Sequence, residues 1–326
     1  MPKSNWELPR KNSLIINNKK ARKVNAVVKR FLSYVEIMTK ITSTFAFLMT
    51  IAFLLFKKQP INWKLTILFF AAMFIFDLAT TAINNYIDTK DNHQTLQFNR
   101  NTALVIIYIL VGVSTALGLY LAFLTDIVIL VVGGICFLCG VLYTYGPLPI
   151  SRQPLGEILS GIFYGLLIPF IIMYINMPRG TFLSYNLNWE TIQFEIKFVP
   201  IISLLLFSIV PFCTTANIML ANNICDLEKD IVVKRHTLPY YIGNKALYLF
   251  AGLYYATYAA VIIMVVFKIL SPICLLSLFT ILIVQKNIKE FFKKQIKEIT
   301  FVLAIKNYII IMASNTLLIF ISVLLS

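Results

Sequence analysis

The chain has 326 residues, 59% of them hydrophobic and only 13% charged, with 29 Lys and Arg against 14 Asp and Glu. A soluble globular domain of this length rarely approaches such values, so that class is excluded. The net charge of +15 raises nucleic acid as a partner, but the basic residues are placed as a membrane protein places them, and membrane lipid is the partner they predict.

Residues 1–35 are polar and basic (KNSLIINNKKARKVNAVVKR) and read as a retained cytoplasmic segment rather than a cleaved signal. Residues 36–326 read as one transmembrane domain. Apolar runs lie near 36–56, 64–86, 103–123, 126–145, 157–176, 198–222, 245–267, 269–285 and 302–325. Each is long enough to cross a hydrocarbon core of about 30 Å as a helix. The predicted fold is therefore all-α, a polytopic membrane protein of nine transmembrane helices. Runs three and four, and runs seven and eight, are so close in sequence that each pair predicts a tight helical hairpin. The segments 1–35, 87–102, 146–156, 226–245 and 286–300 hold 21 of the 29 Lys and Arg. This bias sets the amino terminus and those loops on the cytoplasmic side of the cell membrane.

In chain order, the second run ends FDLATTAINNYIDTKDN, residues 76–92, and the sixth ends TTANIMLANNICDLEKD, residues 214–230. With the amino terminus inside, both ends face the cytoplasm. Helical spacing puts Asp77, Thr80, Thr81, Asn84 and Asp88 on one face, and Asn222, Asp226 and Asp230 on another. Asp91 follows the first set, and Glu228 falls off the second face, into solvent. Ionised carboxylates at this depth are costly unless paired, hydrated or bound to a cation. Lys40 and Arg152 are available partners, yet too few basic residues lie at matching depth. Oxygen-only ligands point to Mg²⁺, which shares its shell with water and substrate phosphates. The residues alone thus predict a Mg²⁺-assisted site in a membrane for a phosphorylated, greasy substrate. Cys136-x-x-Cys139 lies inside the fourth run and reads as packing. KNIKEFFKKQIKE, residues 286–298, reads as an amphipathic interfacial stretch.

The paired motifs resemble those of the UbiA superfamily of intramembrane prenyltransferases, and the likeness spans essentially the whole chain. NNICDLEKDIVVKRHTLP, residues 222–239, and YTYGPLPISRQPLGE, residues 143–157, are similar to segments of its 1,4-dihydroxy-2-naphthoate branch. Cys225 stands where that branch usually carries Arg, and Lys234 where it often has Gly. The resemblance implies Mg²⁺ held by Asn84, Asp88, Asp91, Asn222, Asp226 and Asp230, bridging the diphosphate of a polyprenyl donor. It also implies transfer of the prenyl group to an aromatic acceptor with loss of carbon dioxide, in menaquinone biosynthesis. Asp88 and Asp226 carry the chemistry. Lys40 and Arg152 read either as diphosphate contacts or, respectively, as a lysine snorkelling to the interface and a loop charge. Tyr143 and Tyr145 would orient the acceptor or simply mark the interface. Arg235, with Lys234, would clamp diphosphate or orient its loop. Asp77, two turns deeper than Asn84, would contact the acceptor or a buried water chain, or sit protonated in a helix contact. His93 and His236 flank the motifs and read as loop histidines or proton carriers. The alternatives are 4-hydroxybenzoate or haem as acceptor, and, from another class, a cation-coupled transporter.

Overall fold

The structure is a computed structural model and describes residues 26–91, 95–146 and 149–325. Residues 1–25 of the basic segment, His93 and the Pro147–Leu148 step of the 143–157 stretch lie outside the described residues, as does the side chain of Asp91.

Nine long helices stand among the described residues: α1 (Ile37–Phe56), α2 (Trp63–Asp91), α3 (Arg100–Leu124), α4 (Ile127–Leu142), α5 (Gly156–Asn176), α6 (Phe198–Cys225), α7 (Lys245–Val266), α8 (Pro272–Lys293) and α9 (Phe301–Leu324). Eight are long and apolar enough to cross a membrane, and α4 has 16 residues. The apolar runs match these helices within a few residues at most ends. The largest differences are functional. α2 continues to Asp91, so Asn84 and Asp88 ride on the helix itself. α8 continues to Lys293, so half of the stretch read as interfacial is the end of a spanning helix, with Ile288 and Phe291 buried. The predicted α3–α4 hairpin turns within two residues, because the Asp126 carboxylate accepts from the Val128 and Ile129 amides at 2.9 and 3.4 Å and starts α4 at once.

Loop contacts sort the helix ends into two groups. At one end Lys57 donates to the Lys268 carbonyl (3.2 Å), Tyr174 to Asp126 (2.7 Å) and the Asn62 amide to Asn176 (2.6 Å). These join the connections α1–α2, α3–α4, α5–α6 and α7–α8. At the other end the Arg235 guanidinium donates to the Ser151 carbonyl (2.7 Å) and the His236 amide to the Arg152 carbonyl (3.2 Å). The alternation expected of a spanning bundle is thus visible in the hydrogen bonds. Residues 26–34 are helical and end in Tyr34, buried against α2, where its hydroxyl donates to the Ala82 carbonyl at 3.0 Å.

One feature is not helical. Leu183–Leu187 (β1) and Ile192–Ile196 (β2) form an antiparallel hairpin between α5 and α6. Its register pairs Leu183 with Ile196 and Tyr185 with Phe194 on one face, and Ser184 with Glu195 and Asn186 with Gln193 on the other. That is the alternation of a two-faced strand pair.

The main core joins α1, α5, α6, α7 and α9, and α2 packs along α3 beside it. α5 is the distorted member. Gly161–Leu167 widens into a π-helical stretch just before Pro169, which has no N–H to return to the Gly165 carbonyl and whose ring crowds it. Gly161 and Gly165 face α6 so closely that a Cβ on Gly165 would stand 2.2 Å from the Phe212 amide nitrogen, and one on Gly161 2.8 Å from the Phe212 ring. Small residues four apart let membrane helices approach at backbone distance. Gly165→Leu is therefore expected to lower stability by about 1–3 kcal/mol through overpacking. Thermal unfolding in detergent measures this, and Gly118→Leu, where an added Cβ meets open space, is the control that should unfold near wild type.

Candidate active site

The two motifs come together at the Arg235 end of the bundle. On α2, Asp77, Thr80, Thr81 and Asn84 line one wall of a cavity of about 560 Å³, with Asn84 accepting from Thr144 at 3.0 Å. On α6, the helix ends at Cys225, and a short helix, Leu227–Val232, follows. The break does not scatter the second motif. The Asp226 amide still donates to the Asn222 carbonyl (3.0 Å) and the Asp230 amide to the Asp226 carbonyl (2.8 Å), so the three residues keep their i, i+4, i+8 relation. Asp230 is buried with Oδ2 unpartnered, while Glu228 is exposed as its position on the helix wheel requires. Burial raises the Asp230 pKa. Arg235 pulls it down, Asp226 pushes it up, Lys297 lowers it and Asp88 raises it. An α2 carboxylate and an α6 carboxylate thus act on the same group, though more than a hundred residues separate them.

The basic side chains do not sit where their sequence positions alone place them. Lys40 is buried, and its ammonium donates to the Asp77 carboxylate (2.8 Å), the Asp77 carbonyl (2.9 Å) and Thr81 (2.5 Å). All three of its hydrogens are committed there. Asp77 accepts in turn from Tyr164 on Oδ1 and from Ser43 on Oδ2 at 2.8 and 2.7 Å, which leaves room on Oδ2 for one further donor. Lys40 therefore belongs with the deeper wall, neither snorkelling nor turned to the helix ends. Arg235 joins the 150–152 turn to the second motif, with a nitrogen 3.9 Å from Asp230. Arg152 is exposed in that same turn. Tyr143 lines the cavity, its hydroxyl 3.6 Å from the Met219 sulfur, whereas Tyr145 is exposed and outside the cavity wall. His236 stacks on Tyr240 at 4.4 Å.

Three residues join the site that the motifs did not name. Lys297, between α8 and α9, hydrogen-bonds to Asn222 and to Asp226, the latter at 2.5 Å. In sequence it is one of five lysines in a stretch already explained by charge bias, so nothing marked it. Tyr164 is carried by the π-helical stretch, whose off-register turn aims the ring at α2. Glu157, at the start of α5, is 3% exposed and bonds Asn223 at 2.9 Å; it lay in the 143–157 stretch without a role.

Among the described residues no three His, Cys, Asp or Glu side chains form a ready cluster for a metal ion. The donor chemistry nevertheless fits Mg²⁺. The available ligands are carboxylate and amide oxygens, the Asp230 oxygen is buried with no donor, and Asp226 and Asn222 already hold a cation in the form of the Lys297 ammonium.

Comparison with known proteins identifies the family and the fold. The model of the UbiA prenyltransferase family matches residues 45–302. The 1,4-dihydroxy-2-naphthoate octaprenyltransferase of Bacillus subtilis is 27% identical over 226 residues, which cover 64% of this chain and 66%, just under two thirds, of that relative. The solved structure of digeranylgeranylglyceryl phosphate synthase superposes with a TM-score of 0.61 at 18% identity, covering 92% of this chain and 99% of that one. A UbiA homologue from Archaeoglobus fulgidus, solved with DMAPP and Mg²⁺, superposes with a TM-score of 0.55 at 12% identity, covering 89% and 99%. At such identities the structures speak for the fold. With a family match over most of its length and a bundle of this architecture, the chain is an integral membrane protein that belongs to the UbiA prenyltransferase family.

Proposed function

We propose that the chain transfers a polyprenyl group from a polyprenyl diphosphate to 1,4-dihydroxy-2-naphthoate, releasing diphosphate and carbon dioxide and giving demethylmenaquinol, the reduced form of demethylmenaquinone. One observation carries the reading: the polar α2 face of Asp77, Thr80, Thr81 and Asn84 lines a cavity otherwise walled by apolar side chains such as Phe76, Phe137 and Leu138. A donor with a charged head and a greasy tail needs both surroundings side by side. The naphthoate acceptor is supported by the Bacillus relative and by the 222–239 and 143–157 stretches. The basic loops support a multi-pass placement in the cell membrane with the rim toward the cytoplasm.

Asn84, Asp88, Asp91, Asn222, Asp226 and Asp230 would hold Mg²⁺, which when bound supplies Lewis-acid neutralisation of the departing diphosphate. Arg235 adds positive charge at the rim, and Arg152 stands in the adjoining turn. As the allylic C–O bond breaks, the new C–C bond forms at the ring carbon that carries the acceptor's carboxylate. Carbon dioxide then leaves and the ring regains aromaticity. Tyr143, Met219 and the phenylalanine wall keep water from the allylic carbon. Deeper in, Asp77 and Tyr164 offer polar contacts for an acceptor hydroxyl, with Lys40 holding the Asp77 carboxylate in place.

The test is prenyl transfer by purified protein in detergent, with labelled farnesyl diphosphate, Mg²⁺ and either naphthoate or 4-hydroxybenzoate. A Mg²⁺-dependent lipophilic product is expected with naphthoate only, lost in Asp88→Ala and in Asp226→Ala. Product with hydroxybenzoate alone moves the acceptor, and none with any aromatic, from folded protein, sinks the reading. The deep pair gives a separate expectation. Asp77→Leu leaves a buried ammonium without its carboxylate and should cost about 3–5 kcal/mol, most of it recovered in Lys40→Met/Asp77→Leu. Thermal unfolding checks the recovery. Turnover that stays lost in the stable double variant assigns the pair to the reaction, and turnover that returns with stability assigns it to the fold.

A further inference from the structure

Resting on the metal and diphosphate reading above, we propose that Lys297 is a tethered cation that occupies the second motif's oxygens until a divalent ion displaces it, and then binds the donor's diphosphate. Its ammonium lies on Asn222 Oδ1 and Asp226 Oδ2, the two oxygens that a metal held by this motif would take. Both cations cannot use them together. Mg²⁺ draws its ligand oxygens in to about 2.0–2.1 Å, and a second positive charge at contact distance would repel it.

The local structure suits a side chain that moves while its backbone does not. Lys297 sits in the turn between Lys293, where α8 ends, and Phe301, where α9 begins. The turn is pinned: the Ile299 and Thr300 amides donate to the Ile296 carbonyl (3.1 and 2.8 Å), the Ile296 amide to Thr300 Oγ1 (2.8 Å) and Gln295 to the Phe291 carbonyl (2.6 Å). The side chain is 29% exposed and crosses the Phe301 ring, with Nζ 4.8 Å from its centroid. A flexible four-carbon stem on a fixed base lets the ammonium leave the carboxylate and stay within reach of what the metal brings. The other basic groups near the motifs are held differently: Lys40 spends its three hydrogens on Asp77 and Thr81, and Arg235 donates to the Ser151 carbonyl.

Two consequences follow. Metal alone binds weakly, because the oxygens are free only for the fraction of time that Lys297 is away. Metal and diphosphate favour each other, because the metal releases the lysine that the diphosphate then uses.

The experiment titrates the purified full chain in detergent with Mn²⁺, followed by the spin-resonance signal of free Mn²⁺, with and without inorganic pyrophosphate. Wild type, Lys297→Met, Lys297→Arg and Asp226→Asn are compared. Without pyrophosphate, Lys297→Met is expected to bind Mn²⁺ about tenfold more tightly than wild type, as removal of a competitor present about nine-tenths of the time requires. Lys297→Arg keeps the charge and should stay near wild type. With pyrophosphate the order reverses, Lys297→Met holding the metal–pyrophosphate pair more weakly. Tighter binding cannot come from a misfolded chain. Equal Mn²⁺ affinity in wild type and Lys297→Met, with binding lost in Asp226→Asn, overturns the proposal while leaving the metal site standing. Undiminished pyrophosphate affinity in Lys297→Met overturns the transfer to diphosphate. No Mn²⁺ binding by any of the chains, with or without pyrophosphate, removes the metal reading of the rim and this proposal together.

Discussion

A carboxylate at the edge of hydrocarbon needs a positive partner, and among the described residues three pairings, Asp77 with Lys40, Asp226 with Lys297 and Asp230 with Arg235, meet that demand at different depths and with different completeness. Deepest, Asp77 and Lys40 close on each other at 2.8 Å, with Ser43 and Tyr164 donating to the carboxylate and Thr81 accepting from the ammonium. Nearer the end, Asp226 is held by Lys297, which is partly buried and carries its charge on a flexible stem. At the end itself, Asp230 has Arg235 at 3.9 Å and one buried oxygen with no donor at all. The partners come from α1, from the α8–α9 turn and from the loop after α6. Their convergence therefore ties remote parts of the chain to two helix ends. The series runs from a closed pair to an open one, and the open end is where a further cation has something to gain.

What was legible in the sequence follows from what is local. Span positions are sums of nearby transfer energies, so most ends emerged within a few residues, the exceptions being the polar ends of α2 and α8. The faces of α2 and α6 follow from a 3.6-residue period, so Asn84 with Asp88, and Asn222 with Asp226 and Asp230, were found on helices a hundred residues apart. The hairpin of β1 and β2 was missed because it lies in a loop between spans, although LSYNL and IQFEI alternate as strands do. Lys297 escaped for a different reason. A lysine near a membrane surface is accounted for by orientation alone, and which of five lysines reaches a motif depends on a turn closed by Thr300 and Ile296. Tyr164 depends on the π-helical register of α5, a property of Pro169 and of the Gly161 and Gly165 contacts with Phe212 taken together.

Lys40 shows how the same physics yields two readings until packing decides. A basic residue near the end of a first span fits a snorkelling lysine and equally a contact to an anion. Three acceptors within 3 Å, all on α2, remove the first and place the ammonium beside Asp77. A buried ion pair of this kind stabilises little against an apolar pair of the same shape, yet leaving either partner alone is costly. Such a pair persists where its polarity is used. Here its carboxylate stands in the wall of the cavity, with the Tyr164 hydroxyl on the same group, where the remaining lining is largely hydrocarbon.

The distortion of α5 links these parts. A straight α-helix through Gly161–Leu167 would turn Tyr164 by a different angle from Asp77, and a bulkier residue at Gly165 would push α6 away at Phe212. α6 leads on to Asn222 and Asp226, so a residue that displaced α6 at Phe212 would disturb the second motif as well as the aim of Tyr164. The glycine contact therefore acts on two polar features at once, the Tyr164 hydroxyl on the deep carboxylate and the helix end that bears Asn222. Tight apposition in the apolar middle of the bundle fixes where that helix end stands.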